Sequence, residues 1–168
     1  MEPKVSIIMG STSDMPVMEG AAKILNDFRI PFEIYALSAH RTPEEVEKFA
    51  RNAASRGIKV IIAGAGMAAH LPGVIAAMTT LPVIGVPIKA SLEGLDSILS
   101  ILQMPSGVPV ATVGINAAQN AGILAAQIIA TGEPEVAEEI KKFKEGLKKK
   151  VVQANEELKN VKYPYKTN

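Results

Sequence analysis

Residues 60–88, VIIAGAGMAAHLPGVIAAMTTLPVIGVPI, contain no Asp, Glu, Lys or Arg, and the reading of this stretch decides the fold. Its length suits one helix across a bilayer, which takes about 20 apolar residues. Its punctuation does not. Gly64, Gly66, Pro72, Gly73 and Pro82 cut it into pieces of strand, helix and strand length. The stretch therefore reads as a β–α–β unit, with strands at Val60–Ala63 and Val83–Val86 around a helix near Ala69–Met78, and no membrane partner is expected.

The same alternation extends outward. Strand-type runs recur at Val5–Met9, Phe32–Leu37 and Val110–Val113, and helical periods at Met15–Phe28, Pro43–Arg56, Leu95–Gln103 and Ala117–Ala130. Five strands, each followed by a helix, imply right-handed crossovers and a parallel α/β sheet covered on both faces. The near-continuous Val, Ile and Ala of the strands fit burial on both sides. Residues 1–168 read as one α/β domain. Its body is 1–132, a long helix runs through 133–162, and 163–168 form a tail. In that helix Val136, Ile140, Phe143, Leu147, Val151, Ala154 and Leu158 make one stripe, expected to pack on a neighbouring subunit. Lys148, Lys149 and Lys150 read as its solvated face.

Bulk composition narrows the function. The chain is 48% hydrophobic but only 4% aromatic, with a formal net charge of +1, so its core is aliphatic and it shows no footprint for nucleic acid. Residues 1–132 carry 9 basic and 10 acidic groups and 133–168 carry 9 and 7, so neither part hides a basic patch. With no cysteine and two histidines, disulfides, thiolate metal sites and a cysteine nucleophile are excluded, and no metal-ligand spacing appears. A cytoplasmic location is the expectation. Between residues 60 and 132 only Lys89, Glu93 and Asp96 are charged. That much uncharged surface predicts a homo-oligomer.

Polar clusters fall at the carboxyl ends of the strands, where such sheets bind ligands. After the first strand comes MGSTSDMP, residues 9–16. Gly10 allows close backbone approach, and Ser11 and Ser13 offer donors at a helix N-terminus, a setting suited to phosphate. The same residues also serve as an ordinary strand–helix turn capped by Ser13 or Asp14. After the second strand, LSAHRTPE, residues 37–44, places Ser38, His40 and Arg41 before a predicted capping box of Thr42, Pro43 and Glu45. His40 can take and return a proton near neutral pH, and Arg41 suits forked contact with phosphate or carboxylate. A surface His and Arg is the plainer alternative. After the third strand, residues 64–69 have the GxGxxA shape of a dinucleotide turn. No acidic residue follows the next strand to hold a ribose, so a close approach of Ala65 and Gly66 to a small planar ligand is the simpler use. His70 and Leu71 open the next helix there.

Taken together, GSTSD, SAHRTP, AGAGMAAHLPG, GLDSILSILQMPSGVPVAT and NAGILAAQI resemble the 5-(carboxyamino)imidazole ribonucleotide mutases of purine biosynthesis, in the same order from about Val5 to Ile129. The resemblance implies a flavodoxin-like three-layer α/β/α fold and an octamer. It also implies a ribonucleotide substrate and no metal, biotin or nucleotide cofactor. By position, His40 matches the proton-transfer histidine and Ser11, Asp14 and Arg41 the substrate-binding positions. Gly10, Ser13, Ser38, Ala65, Gly66, His70 and Leu71 would line the same pocket. Met67 stands where many members have a small residue. Arg-Thr-Pro after His40 looks like the mutase branch rather than the aminoimidazole ribonucleotide carboxylases, which take free carbon dioxide. A nicotinamide-dependent oxidoreductase, resting on residues 64–69, and a non-enzymatic nucleotide-sensing module, resting on the first loop, are the rival readings.

Overall fold

The computed structural model describes residues 1–168. Five strands form one parallel sheet: β1 (Val5–Met9), β2 (Phe32–Ala36), β3 (Val60–Gly66), β4 (Val83–Ile88) and β5 (Ala111–Thr112), in the spatial order β2-β1-β3-β4-β5. The helices are α1 (Met15–Asp27), α2 (Pro43–Ala53), α3 (Leu71–Ala76), α4 (Leu95–Leu102), α5 (Ala118–Ala130) and α6 (Pro134–Lys159). This is the flavodoxin-like order, and the strand order reverses between β1 and β3 while every strand stays parallel.

Alternate strand residues point to opposite faces, and two separate cores result. Ile7, Val60, Ile62, Ile84 and Val86 pack with α1, α5 and the start of α6. Ile8, Ile61, Ala63 and Val83 pack with α2, α3 and Ile101 of α4. Three layers follow from that alternation. β3 and β4 run further than their glycines and Pro87 suggest, with Gly64 opposite Val86 and Ala65 opposite Pro87. Gly64 serves packing: a Cβ there would lie 2.4 Å from Met18 Sδ. Gly122 does the same where α5 crosses α1, since its Cβ would meet Ile24 Cγ2 at 2.3 Å. Pro87 lies beyond the β4–β5 ladder, which pairs only Ile84 with Ala111 and Gly85 with Thr112, so its missing N–H costs no bond to β5.

The predicted capping box does not form. Thr42 occupies the N-cap of α2 without a side-chain cap bond. Its hydroxyl instead accepts from the Ser38 N–H at 2.9 Å and donates to the Ser38 carbonyl at 3.1 Å. The apolar stripe of α6 is also divided. Val136 and Ile140 are buried and Phe143 stacks edge-on against Phe28 at 5.4 Å, while Leu147, Val151 and Leu158 stand exposed. No helix is long and apolar enough to cross a membrane.

Candidate active site

Four loops meet at the carboxyl edge of the sheet, beside the switch between β1 and β3. They enclose a cavity of about 430 Å³ lined by Gly10, Ser11, Ser13 and Asp14 after β1 and by Ser38, Ala39, His40 and Arg41 after β2. Ala65 and Gly66 at the end of β3, Met67, Ala68 and Leu71 beyond it, and Ala90 after β4 complete the wall. Every candidate residue from the sequence is here except His70, which stands just outside the lining and touches His40. The sequence reading takes residues 65–69, Ala68 among them, as an apolar wall, but gives no role to Ala39 or Ala90. Their only signal was position, since a methyl group in a loop carries no chemical signature.

The first loop is a short 3-10 turn, Thr12–Asp14, capped by Ser11, whose hydroxyl accepts from the Ser13 N–H at 3.3 Å. Asp14 then sits at the N-cap of α1 but makes no side-chain cap bond. Burial pushes its pKa up, and the Ser11 backbone, the Ser13 hydroxyl and the charge of Arg41 only partly offset that.

The second loop is closed on itself. Ser38 Oγ accepts from the Arg41 backbone N–H at 3.2 Å and from Arg41 Nε at 3.4 Å. Arg41 Nη2 donates to the Gly10 carbonyl at 2.9 Å. The guanidinium thereby ties the β2 loop to the β1 loop and brings a permanent cation to the cavity wall beside the serines. That cradle suits an anionic group with hydroxyls nearby.

His40 stands exposed at the rim, and its Nε2 lies 2.8 Å from His70 Nδ1. The rings meet edge to face with centroids 4.9 Å apart. His70 is placed by the turn after β3, at the N-cap of α3, where its backbone N–H donates to Ala68 O at 2.8 Å. Two imidazoles at this distance share one proton between facing nitrogens: one ring donates and the other accepts. That bond engages Nε2 of His40. No group of three or more His, Cys, Asp or Glu side chains is placed to hold a metal ion.

Comparison with known proteins gives the family. Residues 4–150 match the family described as AIR carboxylase. The chain is 58% identical over 162 residues to the N5-carboxyaminoimidazole ribonucleotide mutase of Thermotoga maritima, covering 96% of this chain and 95% of that one. It is 61% identical over 148 residues to the protein of the same name from Pyrococcus abyssi, covering 88% and 85%. Among solved structures, Treponema denticola PurE2-S38D superposes with a TM-score of 0.87 at 33% identity, covering 95% of this chain and 100% of that one. The chain belongs to the AIR carboxylase family.

Proposed function

We propose that this protein is an N5-carboxyaminoimidazole ribonucleotide mutase, moving a carboxylate from the exocyclic nitrogen of its substrate to carbon 4 of the imidazole. The observation that carries the reading is a single cavity that unites a cation-and-serine cradle with a rim histidine held by a second imidazole. A dinucleotide turn is disfavoured by the use of Gly64, which accommodates Met18 rather than a ligand.

Ser11, Ser13 and Arg41 take the 5′-phosphate, and Asp14 accepts from ribose hydroxyls. Binding energy from this remote end orients the ring. The carbamate C–N bond then breaks, its electron pair stays on the exocyclic nitrogen, and that nitrogen takes a proton. Carbon 4 of the electron-rich ring attacks the released carbon dioxide and forms the new C–C bond. His40 removes the hydrogen left on carbon 4 as a proton, and aromaticity returns. One proton is taken up at nitrogen and one is released at carbon 4. The reaction is therefore an isomerisation that consumes nothing else. Ala65, Gly66, Ala68 and Leu71 form the apolar wall against which carbon dioxide waits, so that recombination competes with escape.

The protein acts as a homo-oligomer in the cytoplasm. The resemblance implies an octamer, and the uncovered leucines of α4 and the overhanging half of α6 supply apolar contact faces. The family description also fits a carboxylase using free carbon dioxide. One assay separates the two: the carboxylated ribonucleotide as substrate, against the uncarboxylated one plus bicarbonate. Turnover of the first with none of the second at matched concentration is expected, and the reverse would refute the mutase reading.

A further inference from the structure

Met67 is the residue of the cavity wall whose placement the fold does not explain. It follows β3 directly with φ +56°, a conformation natural to glycine and strained for a side chain of this size. Strain of that kind in a folded chain points to a use. Packing is not the use. Met67 is 60% exposed and belongs to neither hydrophobic core nor the residues packed around them. Its side chain lines the cavity with Ala65, Ala68, Leu71 and Ala90, on the apolar side of the space whose rim carries His40.

We propose that Met67 is a movable apolar stopper that retains carbon dioxide during turnover, an inference that rests on the mutase reading. An unbranched thioether with three rotatable bonds can stand aside while a ribonucleotide enters and then settle over the ring. Covered in this way, the gas released from nitrogen meets carbon 4 before it meets water. The strained backbone holds Met67 in the cavity wall. Met67 thus sets the partition between recombination and escape, while the cradle of Ser11, Ser13 and Arg41 sets affinity for the ribonucleotide.

The test uses substrate carrying ¹³C in the carbamate carboxylate, turned over in unlabelled bicarbonate, with label in the product read by mass spectrometry. Wild type is expected to retain most of the label. Met67→Gly, which relieves the backbone and removes the side chain, should lose label several-fold more, with lower kcat and little change in KM. Its melting temperature should equal or exceed that of wild type. Met67→Leu, which keeps the apolar volume, should retain label like wild type. Equal retention in wild type and Met67→Gly overturns the proposal, as does complete exchange of label by wild type. A changed sedimentation coefficient in Met67→Gly also overturns it, by assigning the side chain to a subunit contact. Failure of wild type to convert the carboxylated substrate at all would instead bring down the functional reading on which the proposal rests.

Discussion

The two histidines of the chain are 30 positions apart in sequence and 2.8 Å apart in space, because β1 lies between β2 and β3 and brings their loops together. His40→Asn removes the proton-transfer group while keeping the cradle. Turnover of the carboxylated ribonucleotide should fall by roughly 10²–10⁴-fold, and calorimetric binding should persist. His70→Leu leaves His40 in place but unheld, so kcat should fall by about 10-fold with KM nearly constant. A His70→Leu enzyme with wild-type kcat would show that the bond orients nothing. Asp14 gives a prediction of opposite sign for stability and binding. Its folded-state pKa is raised chiefly by burial, so its stability contribution is full at low pH and lost as pH rises through that pKa. At neutral pH the desolvated charge is a cost. Asp14→Asn should therefore raise the melting temperature at pH 7 by roughly 1–2 °C, a figure kept small because the site is only half buried. The gain should shrink toward pH 4, and ribonucleotide affinity should drop by about 10-fold or more. The lining of the candidate cavity was legible in the sequence where side chains are chemically distinctive, as at His40, Arg41 and the serines. Thr42 was misread because a threonine hydroxyl can serve the preceding loop as readily as the helix that follows.

Strand and helix types were legible from apolar period and punctuation, whereas strand ends were not. A glycine in a strand pattern signals a break when nothing shows what stands beside it. Gly64 and Gly66 remain in the β3 ladder because Met18, Ile88 and Ala90 occupy the space that their side chains would need. The edge strand β2 shows a second arrangement hidden in linear order. Glu33 pairs in register with Ser6 of β1 and accepts its buried hydroxyl at 2.6 Å. It also receives a forked pair from Arg56, just past α2, at 2.8 and 2.9 Å. Burial pushes the Glu33 pKa up, but the bonds from Arg56, Ser6 and Tyr35 hold it below the usual range. A carboxyl depressed in this way contributes stability above its unfolded pKa and loses it as pH falls through the folded one. Arg56→Met should therefore destabilise the chain by about 1 kcal/mol at pH 7, discounted because 36% of the Arg56 side chain is in water. Urea titrations should find that penalty shrinking below pH 4.5, the ordinary glutamate value. A penalty independent of pH would show that the guanidinium contributes only its packing over Phe49, which it overlies at 5.3 Å.

A three-layer chain of this length still leaves two apolar faces uncovered. On and before α4, Leu92, Leu95, Leu99 and Leu102 are all more than half exposed, and α6 carries its stripe past the body into Leu147, Val151 and Leu158. The scarcity of charge between residues 60 and 132 pointed to exposed apolar surface, which the leucines of α4 show. It did not identify which residues needed cover, because a helix apolar on several sides reads the same whether its own sheet or another subunit lies over it. Ile101 and Ser97 of α4 face the chain's own core, while the leucines face outward. Ala90, in the loop that leads to α4, lines the candidate cavity, so a subunit seated on α4 would stand near it. Leu95→Glu/Leu99→Glu alters neither core, and its far-UV circular dichroism should match wild type. Each new carboxylate at a subunit interface would lie buried without a partner, costing about 2–5 kcal/mol. Two such charges weaken a contact by about 10³-fold or more across most of that range. Sedimentation at low micromolar concentration should then show a smaller species than wild type, and Leu147→Glu/Val151→Glu should act in the same direction through the α6 face. If the α4 variant sediments like wild type, the outward leucines are not the contact and the subunits meet elsewhere. If wild type itself is a stable monomer at micromolar concentration, the exposed leucines serve some purpose other than assembly and the oligomer is refuted.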